Sequence, residues 1–238
     1  MSTAAHPTLP LVQGEPPELH SGDEMSQPEF HRIYQRMPNE FKAELIGGIV
    51  YVSPPVGKRH GKAHMPLNTL LYTYEAHTPG VETADNATVV LGSKSQPQPD
   101  AYARTLPEYG GRSGSTPDDQ YAEGPPELVA EIAYSTRSID FHRKRRDYAR
   151  NGVLEYLLLN LEGSTLHLFD LTRNQELAAD PDGIVRVRTF PGLWIDPSGM
   201  LARDYPRLMA TLQKGLISPE HAAFVQRLAA VASGKPST

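Results

Sequence analysis

The sequence predicts an α+β (α/β) fold, a mixed central sheet flanked by helices, with a helical extension at its C-terminal end. Three observations carry that expectation. Strand-like and helix-like stretches follow one another without the regular βαβ repeat of a parallel sheet. No internal repeat and no linker between two cores interrupts them. The 238 residues, 39% hydrophobic and 21% charged, are an ordinary globular composition. A chain of that size buries roughly 70% of its unfolded surface, enough for a core without staples.

The elements follow in order. Residues 1–22, with Pro7, Pro10, Pro16 and Pro17 and no periodic pattern, read as a flexible arm. A short helix follows: Ser26 caps it, Pro28 and Glu29 sit in its first turn, and Phe30, Ile33, Tyr34 and Met37 share a face up to Pro38. Phe41–Ile46 and Ile49–Val52 flank Gly47-Gly48, a pair that tolerates the positive φ of a tight hairpin turn. Lys58–His77 suits a helix with Ala63, Leu67, Leu70, Leu71 and Tyr74 on one stripe, Pro66 lying near its start or kinking it. Strand signals return over Val81–Leu91 and after Pro99. Pro107–Pro126 is rich in Gly, Ser, Pro and Asp, the composition of a functional lid or a disordered loop.

Glu127–Ile132 reads as a half-buried strand on which Glu127 and Glu131 share a face, while Leu128, Ala130 and Ile132 pack the other way. Arg137–Asn151 is a strongly charged helix closed by Gly152. Val153–Asn160 and Thr165–Leu171 form a strand pair, and Ile184–Phe190 is a further strand. Trp194 is most simply a core or docking anchor. Helices over Met200–Gln213 and Pro219–Ala232 complete the chain. As domains, this gives the arm at 1–22, a main domain at 23–198, and an extension at 199–238 packed on it.

Composition removes whole classes of chemistry. Without cysteine there is no disulfide scaffold, no cysteine-ligated zinc, no iron–sulfur cluster and no thiol nucleophile. No dinucleotide fingerprint, P-loop, nucleophile elbow or H-E-x-x-H motif is present. The net charge of -5 argues against bulk coating of nucleic acid. No apolar run is long enough to span a membrane, and no basic-then-apolar leader is present; both predict a cytoplasmic protein. What remains is oxygen-ligand chemistry. Asp100 opens one strand and Glu131 lies near the end of another, and carboxylates converging from adjacent strands make a pocket for Mg²⁺ or Mn²⁺. Asp140 and Lys144 fall on one helix face, where the lysine could orient water or offset developing charge. Arg143, Arg145 and Arg146 on that helix are candidates for the phosphate backbone, although a charge run is more often a solvated face. His60 and His64, four apart, could share a metal; with no third ligand visible, a surface or capping role is the simpler reading.

Taken in order, several segments form a pattern. They are AELIGGIVYVSPP (43–55), Arg59-His60, QPQPDAYA (96–103), PPELVAEIAYST (125–136), then Asp140, Lys144 and Tyr148, and NGVLEYLLLN (151–160). In this the chain resembles the Uma-type "putative restriction endonuclease" family, a bacterial branch of the PD-(D/E)xK nuclease superfamily. FPGLWID (190–196) and GLISPEHAAF (215–224) are similar to extensions in one subgroup. The resemblance implies a restriction-endonuclease-like sheet with helices on both sides. It also implies metal positions at Asp100, Glu131 and Ile132 and catalytic positions at Asp100, Glu131 and Lys144, with Glu44 completing the cluster and His60 matching a family histidine. The superfamily's lysine normally stands two residues after the glutamate, where this chain has Ala133; in the family it moves to the following helix, where Lys144 matches. A second departure is Tyr134-Ser135-Thr136 after Ala133, where the family often has Ser-Pro-Ser-Thr.

The expected activity is divalent-metal-dependent hydrolysis of DNA phosphodiester bonds, with Mg²⁺ or Mn²⁺ as cofactor, DNA as partner and a homodimer as the assembly that would cut both strands. Two other readings stand beside it. One is a non-catalytic member of the fold that binds DNA or protein, favoured by the net charge; the other is a metal-dependent hydrolase of a different phosphate substrate.

Overall fold

A computed structural model describes residues 18–133 and 139–234. The predicted arm, apart from 18–22, lies outside the described residues, as do Tyr134-Ser135-Thr136 and Arg137 at the start of the predicted charged helix.

Helix α1 (Gln27–Tyr34) buries Phe30 completely against the hairpin β1 (Ala43–Ile46) and β2 (Ile49–Val52). Ser26 holds the N-cap position, but its side chain makes no capping bond, and the helix stops at Tyr34, short of Pro38. The hairpin pairs Ile46 with Ile49, leaving Gly47 and Gly48 as a two-residue turn with φ of 61° and 84°. Both angles suit glycine, and a turn with both central residues at positive φ matches the twist of its strands. Helix α2 (Lys58–Ala76) buries Ala63, His64, Leu67, Leu70, Leu71 and Tyr74, the predicted stripe with a histidine added. Pro66 lies well inside α2 and not near its start, so the carbonyl four residues back has no helical donor there.

The central sheet is built from β3 (Val81–Asp85), β5 (Ala101–Thr105), β8 (Leu128–Ala133), β9 (Glu155–Asn160), β10 (Thr165–Asp170) and β11 (Gln175–Leu177). Their spatial order is β11-β10-β9-β8-β5-β3. The β8–β9 pair is parallel and the other neighbours are antiparallel, so the sheet is mixed. Strand β8 is buried along its whole length, not half-buried as its alternation suggested. Leu128, Ala130 and Ile132 face the α2 side, and Val129 and Ala133 join the core on the other face with Tyr148 and Tyr156. The sheet is therefore covered on both sides, and a charge on β8 has no route to bulk water except through a cleft.

The Gly-, Ser- and Pro-rich stretch is structured within the described residues. It holds a 3₁₀ turn (Pro107–Tyr109) and the strands β6 (Gly114–Ser115) and β7 (Ala122–Glu123), which join β4 (Val89–Val90) in a small sheet ordered β4-β7-β6. The charged helix is also not one α-helix. Ile139–Lys144 forms a π-helical turn and only Arg145–Arg150 (α3) is α. Such insertions widen the helix and recur at functional sites.

The predicted strand over Ile184–Phe190 shrinks to β12 (Val185–Arg186), paired with β13 (Trp194–Ile195). Phe190, Leu193 and Ile195 carry the burial in this segment, while the half-buried Trp194 stacks beneath the Arg186 guanidinium, 4.2 Å from its ring centre. The predicted Met200–Gln213 helix is two, α4 (Pro197–Ala202) and α5 (Tyr205–Leu216). Between them Arg203 adopts φ of 59°, and Asp204 opens the second helix by accepting the Arg207 N–H. Helix α6 (Pro219–Ala232), capped by Ser218, follows as expected. Leu208, Leu212, Phe224 and Leu228 of these helices share one core with α2 and the sheet.

His221 ties α6 to α2: its Nδ1 donates to the Leu216 carbonyl at 2.8 Å and its Nε2 lies 2.9 Å from Thr78 Oγ1. Burial holds this imidazole below its usual 6.5, with the charge of His77 adding to the effect. The folded state therefore binds the proton less readily than the unfolded chain. The stabilisation is complete above the unfolded value and is lost as pH falls through the lower folded one. The thermal midpoint is expected to drop between about pH 7.5 and about pH 5, and less so in His221→Gln; identical pH slopes in both proteins would refute this role.

Candidate active site

The carboxylates meet because of strand register. Strands β5 and β8 pair Ala101 with Ala130, and one step outward on each strand sets Asp100 across from Glu131. Positions opposite each other in an antiparallel pair hold their side chains within about 5.5 Å at Cβ. The segment entering Asp100, QPQPD, is pinned to the hairpin. Gln96 bridges Leu45 through the backbone, and the Gln98 N–H donates to Glu44 Oε1 at 2.8 Å. Glu44, on the otherwise separate two-stranded hairpin, is thereby carried to the sheet.

The π turn supplies the cation. Lys144 Nζ lies 2.9 Å from Glu131 Oε1, 2.9 Å from Glu44 Oε2 and 4.0 Å from Asp140 Oδ1. Tyr148, one turn further on, donates to the same Glu131 oxygen at 2.7 Å. All five side chains are buried: Lys144 is 7% exposed, Glu131 4%, Glu44 8%, Asp140 4% and Tyr148 0%. Burial works against the Lys144 ammonium, but Glu131, Glu44 and Asp140 hold it well above the usual lysine range. Burial pushes Glu131 well above the usual carboxylate range, and the charges of Asp100, Glu44 and Asp140 add to this against the pull of Lys144. One lysine is thus shared by more carboxylates than it can neutralise.

Asp100 is set differently. Its Oδ2 accepts the Ile132 N–H at 2.7 Å and faces His60 Nε2 at 3.1 Å. Burial opposes its ionisation, but the hydrogen bond and charge of His60, the Ile132 N–H and the Lys144 charge outweigh burial and hold it below its usual range. His60 is raised in return, chiefly by that hydrogen bond. Ile132, expected at the metal, is placed beside Asp100 with its N–H already engaged there. Glu44, Asp100, Glu131, Ile132, Lys144 and His60 all line one cleft of about 470 Å³, with Lys42, Lys58 and Arg59 on its walls.

The structure does not bring the three candidate arginines together. Arg143 is exposed and hydrogen-bonds the Tyr51 hydroxyl on the cleft wall. Arg145 turns onto the face of Phe169, 4.6 Å from its ring centre, and Arg146 folds back onto the His142 carbonyl. Neither of these two lines the cleft.

His64 departs furthest from expectation. It is buried and not a surface residue, with Nε2 at 2.6 Å from the Asp100 carbonyl and 2.9 Å from Asp85 Oδ1. The third ligand that the helix spacing lacked is Asp100 itself. Among the described residues, donor atoms of His60, His64 and Asp100 lie within 4.8 Å of one another. Tyr148 stood in the sequence pattern with Asp140 and Lys144, spaced by four along one face, but without an assigned role; Asp85 had no local signal.

Residues 27–198 match the family model described as "Putative restriction endonuclease", named Uma2. The chain belongs to this family. A crystal structure of a "putative nuclease belonging to DUF820" from Anabaena variabilis is similar to the family member described here, with a TM-score of 0.54 at 13% identity. The match covers 76% of this chain and 97% of that one. At that identity the likeness speaks for the fold alone, which in this Uma2 chain is a mixed sheet between helices. No curated protein sequence matches significantly. Among the described residues of this Uma2 chain, no helix is long and apolar enough to cross a membrane.

Proposed function

We propose that this Uma2 protein is a divalent-metal-dependent endonuclease that hydrolyses DNA phosphodiester bonds. The observation that carries the reading is Lys144, buried between Glu131 and Glu44 at the floor of the cleft that Asp100 also lines. Buried charges are costly unless compensated, and here Asp100, Glu131, Glu44 and Asp140 surround one ammonium and one imidazole. That donor set, carboxylate oxygens with negative charge in excess, fits Mg²⁺ or Mn²⁺ held by Asp100 and Glu131. When bound, the ion would supply positive charge that polarises the scissile phosphate.

The chain's own groups have separable tasks. Glu44 and Glu131 aim the ammonium of Lys144 at one point of the cleft floor, where it orients an attacking water or offsets charge developing on phosphate. Tyr148 fixes the Glu131 carboxylate, and Ile132 and His60 fix that of Asp100. Lys42, Lys58 and Arg59 on the walls, with Arg143 at Tyr51, give a polyanion a local positive rim despite the overall charge of -5. Arg145 and Arg146 have no part in this reading. Cutting both strands would take two copies of the chain.

Supercoiled plasmid incubated with Mg²⁺ or Mn²⁺ tests the proposal. Nicking is expected, falling by about a thousandfold in Asp100→Asn, the scale of several kcal/mol of transition-state stabilisation. Equal rates in the two proteins would sink it. Binding of DNA without cleavage under any divalent ion would favour the non-catalytic reading, and cleavage confined to other phosphate esters would favour the third.

A further inference from the structure

We infer that His60, His64 and Asp100, with Asp85 alongside, form a mixed nitrogen–oxygen subsite that takes a borderline transition ion such as Mn²⁺, Co²⁺ or Zn²⁺ in preference to Mg²⁺. The inference shares Asp100 with the catalytic reading and rests on it only for its consequence, namely which ion the nuclease would use.

The fold brings these residues together from distant positions. His60 and His64 project from one face of α2, four residues apart. Asp85 ends β3 and Asp100 precedes β5, and those two strands pair antiparallel with Asp85 opposite Ala101. The two Nε2 atoms are the ones that converge. That of His60 is 3.1 Å from Asp100 Oδ2, and that of His64 is 2.9 Å from Asp85 Oδ1 and 2.6 Å from the Asp100 carbonyl. The imidazole rings meet edge-on, with centroids 5.7 Å apart.

Three points separate this cluster from an ordinary hydrogen-bonded group. First, Nε2 of His64 faces two oxygen acceptors and no donor, so a single proton occupies a place where a cation would satisfy both. Second, Nδ1 of His60 is buried and has no hydrogen-bond partner among the described residues, so the ring proton sits on Nε2 against Asp100 Oδ2, and a cation between those two atoms would replace that proton without breaking a bond at Nδ1. Third, the oxygens of Asp85 are reachable: its side chain is 57% exposed, and His60 and Asp100 line the cleft. Asp85 Oδ1 also accepts from Asn68 at 2.8 Å and Asn86 at 3.1 Å, amides that would orient a ligating carboxylate. Two imidazoles with carboxylate oxygens suit Mn²⁺, Co²⁺ and Zn²⁺, whereas Mg²⁺ keeps to oxygen donors and to its waters.

The experiment is a Co²⁺ titration of the full chain followed by visible ligand-field absorption, with Mg²⁺ titrated in parallel by calorimetry. Wild type is expected to develop nitrogen-ligated Co²⁺ bands and to hold Co²⁺ more tightly than Mg²⁺. His64→Gln and His60→Gln are each expected to weaken Co²⁺ binding by about tenfold or more, while Glu131→Gln keeps the bands. His64 is buried, so circular dichroism accompanies its variant, and the partly exposed His60→Gln and Asp85→Asn remain informative if His64→Gln fails to fold. Co²⁺ affinity no higher than that for Mg²⁺, or unchanged in both folded His60→Gln and Asp85→Asn, would overturn the inference. Plasmid nicking in the same samples separates the two claims. Cleavage with Mg²⁺ and no Co²⁺ bands removes this subsite and leaves the nuclease; Co²⁺ bands without cleavage under any ion do the reverse.

Discussion

Lys144→Met is expected to slow plasmid cleavage severely and to destabilise the protein at neutral pH. The methionine keeps an unbranched, apolar stem as far as the lysine Cε and loses the ammonium with its charge and donors. Glu131 and Glu44 would then stay buried without the ammonium that lies 2.9 Å from each of them. Removing one partner of a buried ion pair costs about 3–5 kcal/mol, because the remaining charge is left uncompensated. The Tyr148 hydrogen bond to Glu131 offsets only part of this. The activity loss is expected at about a hundredfold to a thousandfold, the size seen when one preorganised electrostatic group is removed. A double variant, Glu131→Gln with Lys144→Met, separates the two effects. It should be more stable than Lys144→Met alone, since it removes an orphaned charge, yet equally inactive. Denaturant unfolding and nicking rates measure both. A single variant as stable as wild type would mean that Lys144 does not hold the cluster together.

Gly215→Ala is expected to lower stability by about 3 kcal/mol, and the thermal midpoint by about 6–12 °C for a chain of this size. Helix propensity alone predicts the opposite, since alanine is favoured over glycine inside a helix by about 1 kcal/mol. Gly215 lies inside α5, and its backbone passes directly over the Gly192 carbonyl at the FPGLWID turn. A methyl group there would run into that carbonyl oxygen and stand 2.8 Å from the Trp194 ring. The obstacle is backbone, so no rotamer change relieves it. The two elements must separate, which opens the core where Phe190, Leu193 and Leu212 pack. The steric term should therefore win over propensity. A variant that melts at or above the wild-type temperature would show that α5 has room to shift.

These two residues illustrate different degrees of legibility. Lys144 stood out because its spacing from Asp140 is local and helical, and that spacing survives the π turn in which both residues lie. Gly215 fell beyond the predicted Met200–Gln213 helix and nothing local marked it, because its partner is a carbonyl in a separate segment. The same division runs through the fold. The hairpin at Gly47-Gly48, the stripe on α2 and the alternating faces of β8 are short-range patterns, and each appears in place, although both faces of β8 are buried where the alternation suggested one. The break at Arg203 and the π turn are not periodic features. Asp204, which caps α5, was the one local sign of the break. The lid or disorder expected over Pro107–Pro126 gave way to a small sheet, because the partner strand β4 comes from elsewhere in the chain.

By itself, the sequence determined the chemistry available and the periodic elements. A chain without cysteine, with Asp100, Glu131 and Lys144 on two strand-like segments and a helix, is confined to oxygen and imidazole ligands, and its family follows from the order of six segments. Only the tertiary structure decided which of those groups meet. Strand register put Asp100 opposite Glu131, and the Gln98–Glu44 bond drew the hairpin to them. Packing of α2 against the β3–β5 edge delivered His64 and Asp85 to the same place. The physical reason is range: periodicity, capping and turn preference act over a few residues, whereas a buried charge cluster is fixed by contacts between segments tens of residues apart.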